Sequence, residues 1–219
     1  THLLHSASCL SSASLEFMFT NHYWYIPEAL TPQQCDGIQH AAAQTEQVEG
    51  FHFGENPDHR KSQISWIYDD ELSDTIGAWM QQANKEAGWS YDLELPEAIQ
   101  YTRSSTGGYY DWHTDGNSDQ HAARRLVQKI DPPIPLNVTP FPKFQGTVRK
   151  LSATVNLSHP HEYEGGFLEI RCYDQLHIFN DCPRGSIIVF PSFLEHRVAP
   201  LEAGERHSAV MWYNGYPLR

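Results

Sequence analysis

Between residues 149 and 158 the chain reads RKLSATVNLS, in which Leu151, Ala153, Val155 and Leu157 alternate with Ser152, Thr154 and Asn156. Successive side chains of a strand leave opposite faces, so this segment is a strand with one apolar and one small polar face. The apolar row packs under another layer. The polar row either faces water or lines a site inside a sandwich, because a polar row buried without partners is costly. The same period of two runs through most of the chain from about residue 93. It covers LPEAIQYTRSS, YYDWHTD after a TGG turn, GGFLEIRCY, GSIIVFPS, LEHRVAPL and RHSAVMWYNG.

The first part of the chain has a different rhythm. FTNHYWYIP (19–27) and KSQISWIYDD (61–70) read as strands. Thr31 is a good N-cap and Pro32 a good first helical residue, which predicts a helix over 32–46. In SDTIGAWMQQANKEAGW (73–89), Ile76, Trp79, Met80 and Ala83 recur with helical spacing and Gly88 stops the run. Helices followed by a series of short strands indicate an α+β fold, a β-sandwich or jelly roll whose outer face the helices cover.

At 219 residues the chain can bury a substantial core as one domain. A net charge of −12 opposes general nucleic-acid binding. No apolar run approaches the roughly 20 residues of a membrane span. Four cysteines, at 9, 35, 172 and 182, form no C-x-x-C pair. Such sparse usage suits a reducing, cytoplasmic setting, although Cys172 and Cys182 could meet across a hairpin. Residues 1–18 lack the basic and apolar regions of a secretory signal and read as a leader or appended segment, with Met18 a candidate natural start. Residues 19–219 then form the single domain.

YYDWHTDGNS (109–118) sets His113 and Asp115 two apart near a strand end, so both side chains leave one face. Chance supplies roughly 0.7 such triplets in a chain with 13 His and 12 Asp, so the pair alone is weak. A third metal ligand must come from another strand. His196, after the strong β run SIIVFPS, is the candidate. Two histidines and one carboxylate leave coordination positions open, as suits non-haem Fe(II). Arg206 lies ten residues after His196, across the turn APLEAGE. Facing inward it would need an anion, which the far carboxylate of a 2-keto dicarboxylate supplies. Facing outward it would be an ordinary surface residue after a turn.

YTRSSTGGYYDWHTD, EGGFLEI and GSIIVFPSFLEHRVAPLEAGERHSAVMW together resemble the prolyl 4-hydroxylase-like branch of the Fe(II)/2-oxoglutarate-dependent dioxygenases. YWYIPEALTPQQCDGI and RKSQISWI resemble its opening elements. The resemblance covers about residues 22–215 and breaks between 117 and 148. It implies a double-stranded β-helix (jelly roll) with N-terminal helices on the outer face of the major sheet. His113, Asp115 and His196 match the iron ligands, and Arg206 matches the residue that binds the distal 2-oxoglutarate carboxylate. Tyr101, Asn156 and Trp212 match positions around the co-substrate. His59, His121, His159, His161 and His177 need no function and should mostly be solvated, and His207 should point away from the site.

The resemblance also implies Fe(II), 2-oxoglutarate and O₂, with ascorbate as a reductant. The implied reaction is hydroxylation of an unactivated C–H bond, with succinate and CO₂ as co-products, on a prolyl or similar residue of a peptide or protein. Hydroxylation of a free amino acid or small molecule is a second reading, and a non-catalytic metal-binding sandwich a third. Neither nucleic acid nor membrane is expected as a partner, and the oligomeric state stays open. Residues 117–150 interrupt the β pattern and hold 5 of the 14 prolines, which suits a substrate-contacting lid or a solvated insertion equally.

Overall fold

The structure is a computed structural model and describes residues 21–50, 57–116 and 147–217. Strand β1 (Trp24–Ile26) leads into helix α1 (Pro32–Ala43), and β2 (Val48–Glu49), β3 (Arg60–Lys61) and β4 (Gln63–Ile67) precede α2 (Asp70–Glu86). The chain continues as β5 (Leu95–Pro96), β6 (Ile99–Ser105), β7 (Tyr109–His113), β8 (Val148–Asn156) and β9 (Tyr163–Gly165). It closes with β10 (Leu168–Cys172), β11 (Gln175–Phe179), β12 (Ile187–Pro191), β13 (Glu195–Val198) and β14 (Leu201–Gly215).

Both helices start where their caps dictate. Thr31 and Gln34 form a reciprocal capping box before Pro32. The second helix begins three residues earlier than the sequence suggests, because the Asp69 carboxylate accepts the Leu72 N–H. Gly88, at φ +77°, ends it in the left-handed conformation.

The major sheet runs β1-β12-β8-β14-β6-β4-β2, with β5 and β9 added alongside β14; the minor sheet runs β11-β10-β13-β7-β3. All the pairings are antiparallel. This is the jelly-roll arrangement the alternating strands imply. On β8 the apolar row Leu151, Ala153 and Val155 is fully buried with Ile38 and Cys35 of α1 and Ile76, Met80 and Ala83 of α2. The helices therefore cover the outer face of the major sheet. The opposite row, Ser152, Thr154 and Asn156, is also buried and faces the minor sheet, so it does not meet bulk water.

Strand β8 starts at Val148, so the last residues of the expected insertion belong to the sheet. Residues 117–146 of that insertion, His121 among them, and residues 1–18 lie outside the described residues. Cys35, Cys172 and Cys182 are buried free thiols, and no disulfide joins the last two. Among the described residues, no helix is long and apolar enough to cross a membrane.

Candidate active site

His113 ends β7, and His196 is its direct cross-strand partner on β13. Asp115 follows two residues on. Its backbone N–H and that of Gly116 both donate to the Ser192 carbonyl at the end of β12. Ser152 of β8 donates its hydroxyl to Asp115 Oδ2 at 2.7 Å and is itself bonded to the Ser192 hydroxyl. The three side chains converge. His113 Nε2 lies 3.8 Å from Asp115 Oδ1, and His196 Nε2 lies 3.4 Å from Asp115 Oδ2. One donor atom from each residue fits within 4.8 Å of the others, a spacing that a single metal ion can bridge.

Each histidine donates its Nδ1–H to a carbonyl two residues earlier on its own chain, Asp111 for His113 and Leu194 for His196. Nε2 of each ring thereby faces the gap beside Asp115, with the Nδ1 bond the usual outer support of a metal-binding imidazole. Burial, reinforced by His196, pushes the His113 imidazole down to about 3. Burial opposes charge on Asp115 too, but His196, His113 and Arg149 outweigh it and hold the carboxyl well below the usual range. The Asp115 carboxylate in turn outweighs burial at His196 and raises that imidazole above its ordinary value.

The triad opens into a cavity of about 250 Å³ between the two sheets. Arg206, Ser208, Val210 and Trp212 of β14 line it, with Ser104, Thr102 and Gln100 of β6 and Thr154 of β8. Arg206 is 6 % exposed. Among the described residues its Nε has no hydrogen-bond partner, and its Nη1 donates to the Ser208 hydroxyl at 3.3 Å. Among the described residues no carboxylate pairs with it. A buried guanidinium left this way needs an anion from outside. Gly166, at φ +63°, makes room for it, since a side-chain carbon there would meet Leu201 at 2.7 Å and the Arg206 stem at 3.4 Å. The donor set and the orphaned guanidinium suit a divalent metal and a dicarboxylate respectively.

Trp212 lines the cavity under the Arg149 guanidinium, whose centre is 3.8 Å from the ring. Tyr101 is a correction. It sits on the other face of β6, in the core with the helices, bonded to His207. The ladder pairs Arg206 with Ser104, so the cavity-facing residues of β6 are even-numbered. Asn156 is also corrected. It shares the inward face of β8 but lies beyond the cavity, and its amide donates to the Ser158 and Cys182 carbonyls at 2.9 and 2.7 Å. His207 does point away from the site, as its parity requires. His59 is half-buried, with its ring 6.4 Å from that of His113.

Three cavity residues escaped the sequence reading. Tyr110 stacks on His113 with ring centres 3.6 Å apart. Arg60 caps that stack, its guanidinium 4.6 Å from the Tyr110 ring. Arg149 is held by Glu97 through two hydrogen bonds of 2.7 and 2.6 Å. RKSQISWI and RKLSATVNL both put an arginine at a strand start, the only sequence signal they offered.

Comparison with known proteins agrees with this geometry. Residues 99–214 match the 2OG-Fe(II) oxygenase superfamily. A PKHD-type hydroxylase of Shewanella sp. strain ANA-3 is 44 % identical over 70 residues, 31 % of this chain and 30 % of that protein. The chain therefore matches less than a third of that relative's length. The PKHD-type hydroxylase PiuC of Pseudomonas aeruginosa is 24 % identical over 197 residues, 86 % of this chain and 76 % of its own. The viral collagen prolyl hydroxylase of Paramecium bursaria chlorella virus 1, solved with 2OG, superposes with a TM-score of 0.62 at 20 % identity. That superposition covers 90 % of this chain and 97 % of the viral one, and at such identity the likeness is one of fold.

Proposed function

Since this chain belongs to the 2OG-Fe(II) oxygenase superfamily, we propose that it hydroxylates an unactivated C–H bond of a prolyl or similar residue in a peptide or protein. One observation carries the reading. The His113, Asp115 and His196 donors and the Arg206 guanidinium, with which no carboxylate of the described residues pairs, open into the same cavity. A two-histidine, one-carboxylate set leaves positions for a chelating 2-keto acid and for O₂. When bound, Fe(II) and 2-oxoglutarate would supply the oxidising power for the C–H hydroxylation by O₂, with succinate and CO₂ as co-products.

The chain's own residues bind and orient. His113, Asp115 and His196 hold the metal, with Ser152 fixing the carboxylate and the two carbonyls fixing the imidazoles. Arg206 takes the distal carboxylate of the co-substrate through charge-assisted hydrogen bonds, with the Ser104 and Ser208 hydroxyls beside it. Tyr110 and Trp212 wall the cavity and keep bulk water from the reacting atoms. That the fold neighbour is a viral collagen prolyl hydroxylase supports a prolyl residue in a polypeptide as the target.

The test is 2-oxoglutarate turnover against a peptide library, with free proline and lysine in parallel and mass detection of products heavier by one oxygen. Succinate coupled to a hydroxylated peptide supports the reading, and coupling to a free amino acid moves the substrate to that class. A folded, iron-loaded protein that turns over 2-oxoglutarate with none of them overturns it.

A further inference from the structure

Three arginines line the cavity, Arg60, Arg149 and Arg206, against one lining carboxylate, Asp115. Arg149 is neutralised by Glu97, 2.6 Å away and itself bonded to Asn214. On the proposed function, Fe(II) and Asp115 carry a net single positive charge. Dianionic 2-oxoglutarate turns that into a single negative one, which Arg206 cancels. Arg60 is then left over. Its Nε donates to the Ser62 hydroxyl at 2.8 Å, and its Nη2 donates to Gln100 Oε1 at 3.0 Å and the Thr102 hydroxyl at 3.3 Å. These acceptors are neutral, as is the Tyr110 ring beneath it. Among the described residues no carboxylate pairs with Arg60. The three hydrogen bonds fix the guanidinium plane, and the Arg60–Tyr110–His113 stack places it one ring away from a metal-facing imidazole.

We infer that Arg60 is the anion subsite of the substrate, which carries a carboxylate close to the carbon that is hydroxylated. This rests on the oxygenase reading and narrows it. A neutral prolyl segment leaves Arg60 uncompensated in the cavity, whereas a carboxylate completes the charge balance and meets a guanidinium already held in its plane. The carboxylate has two possible sources, the α-carboxylate of a free amino acid or chain end, or an acidic side chain within a peptide.

The test titrates acetate by calorimetry into anaerobic protein loaded with Fe(II) and 2-oxoglutarate, for wild type, Arg60→Gln and Arg60→Lys. Saturable binding to wild type is expected, weakened about tenfold or more in Arg60→Gln and partly restored in Arg60→Lys, since one charge-assisted hydrogen bond is worth about that factor. Affinity for 2-oxoglutarate, followed by the visible absorbance of its iron chelate, should be alike in all three. Equal acetate binding to wild type and Arg60→Gln, or none to wild type, overturns the inference. Loss of 2-oxoglutarate affinity in Arg60→Gln also overturns it, by giving Arg60 to the co-substrate. If the chelate absorbance never develops, it is the oxygenase reading that fails. Succinate release then assigns the source. Free amino acids that outrun their amides mark an α-carboxylate, and capped peptides that respond only with Asp or Glu present mark a side chain. Neutral capped peptides that respond as well as acidic ones count against the inference.

Discussion

Arg206 faces Ser104 across the β14–β6 ladder, and the Nε of that buried guanidinium meets no acceptor among the described residues. Arg206→Ala should therefore weaken 2-oxoglutarate binding by about ten- to a hundredfold, the worth of charge-assisted hydrogen bonds. Arg206→Lys should keep part of the affinity, having the charge without the fork. Iron affinity without co-substrate should hardly move. Anaerobic titration of 2-oxoglutarate into Fe(II)-loaded protein reads all three, and equal dissociation constants would remove the co-substrate role.

Among the described residues the metal set has three protein donors, so His113→Ala, Asp115→Ala and His196→Ala should each abolish turnover. The circular dichroism of each variant should match wild type. Metal titration should show the loss directly, and wild-type affinity in any of the three would show that the residue is no ligand.

Metal affinity should also depend on pH in a defined direction. In the metal-free protein the Asp115 carboxylate raises the His196 imidazole above 6.5 and so keeps it protonated further into the neutral range. His113, pushed down to about 3, is already neutral there. A metal must displace the His196 proton, so the apparent affinity should fall as pH drops through that raised value, by about tenfold per unit once the group is charged. Mn(II) binding measured between pH 5.5 and 8 gives the slope. A slope of two protons, or none, contradicts this proton count.

Glu97 has only 4 % of its side chain exposed and neutralises Arg149. Glu97→Ala should cost about 3 kcal/mol of unfolding free energy, because breaking a buried pair strands the partner charge. The figure is the low end of that range, since Arg149 keeps 19 % of its side chain in contact with solvent. Urea denaturation of the metal-free protein measures it, and a change below about 1 kcal/mol would match a solvent-screened pair instead.

Asn156→Ala separates a structural amide from a co-substrate contact. Losing its bonds to the Ser158 and Cys182 carbonyls should lower stability by about 1–3 kcal/mol while the KM for 2-oxoglutarate stays within about twofold. Tyr101→Phe should likewise spare KM, since its hydroxyl bonds to His207 on the outward face of the same sheet. A KM shift of tenfold in either would return that residue to the site.

The strand alternation of residues 149–158 told which row packs under the helices, and the opposite row proved to line the sandwich. The H-x-D spacing and the hairpin between His196 and Arg206 brought four side chains to one cavity. What misled the reading was parity across irregularities that sequence does not display. On β7 an extra residue separates the pairings Val198–Tyr110 and His196–His113, and this bulge puts Tyr110 and His113, three apart, on the same inward face. On β8 the register shifts between Tyr213–Leu151 and Asn214–Arg149, which turns odd-numbered Arg149 towards the even-numbered cavity row. Tyr101, the tyrosine that motif matching selected, lies on an unbroken stretch of β6, where parity sends it outward. Arg60 and Glu97 look like ordinary surface charges in sequence; only once the sheets close does Arg60 line the cavity and Glu97 become the buried partner of Arg149.

The supports of the three metal-facing side chains differ in reach. Each imidazole is oriented by a carbonyl two residues back on its own chain, so any conformation that forms the β7 end and the β13 start already aims both nitrogens. The Asp115 carboxylate depends on Ser152 and Ser192, 37 and 77 positions away, and gains its bearing only when β8 and β12 are in register beside it. Metal capture is thus a readout of complete assembly. A chain whose major sheet has slipped keeps two well-aimed histidines but presents no fixed third donor, and it should hold iron weakly. The protein thereby ties possession of a reactive metal to correct folding.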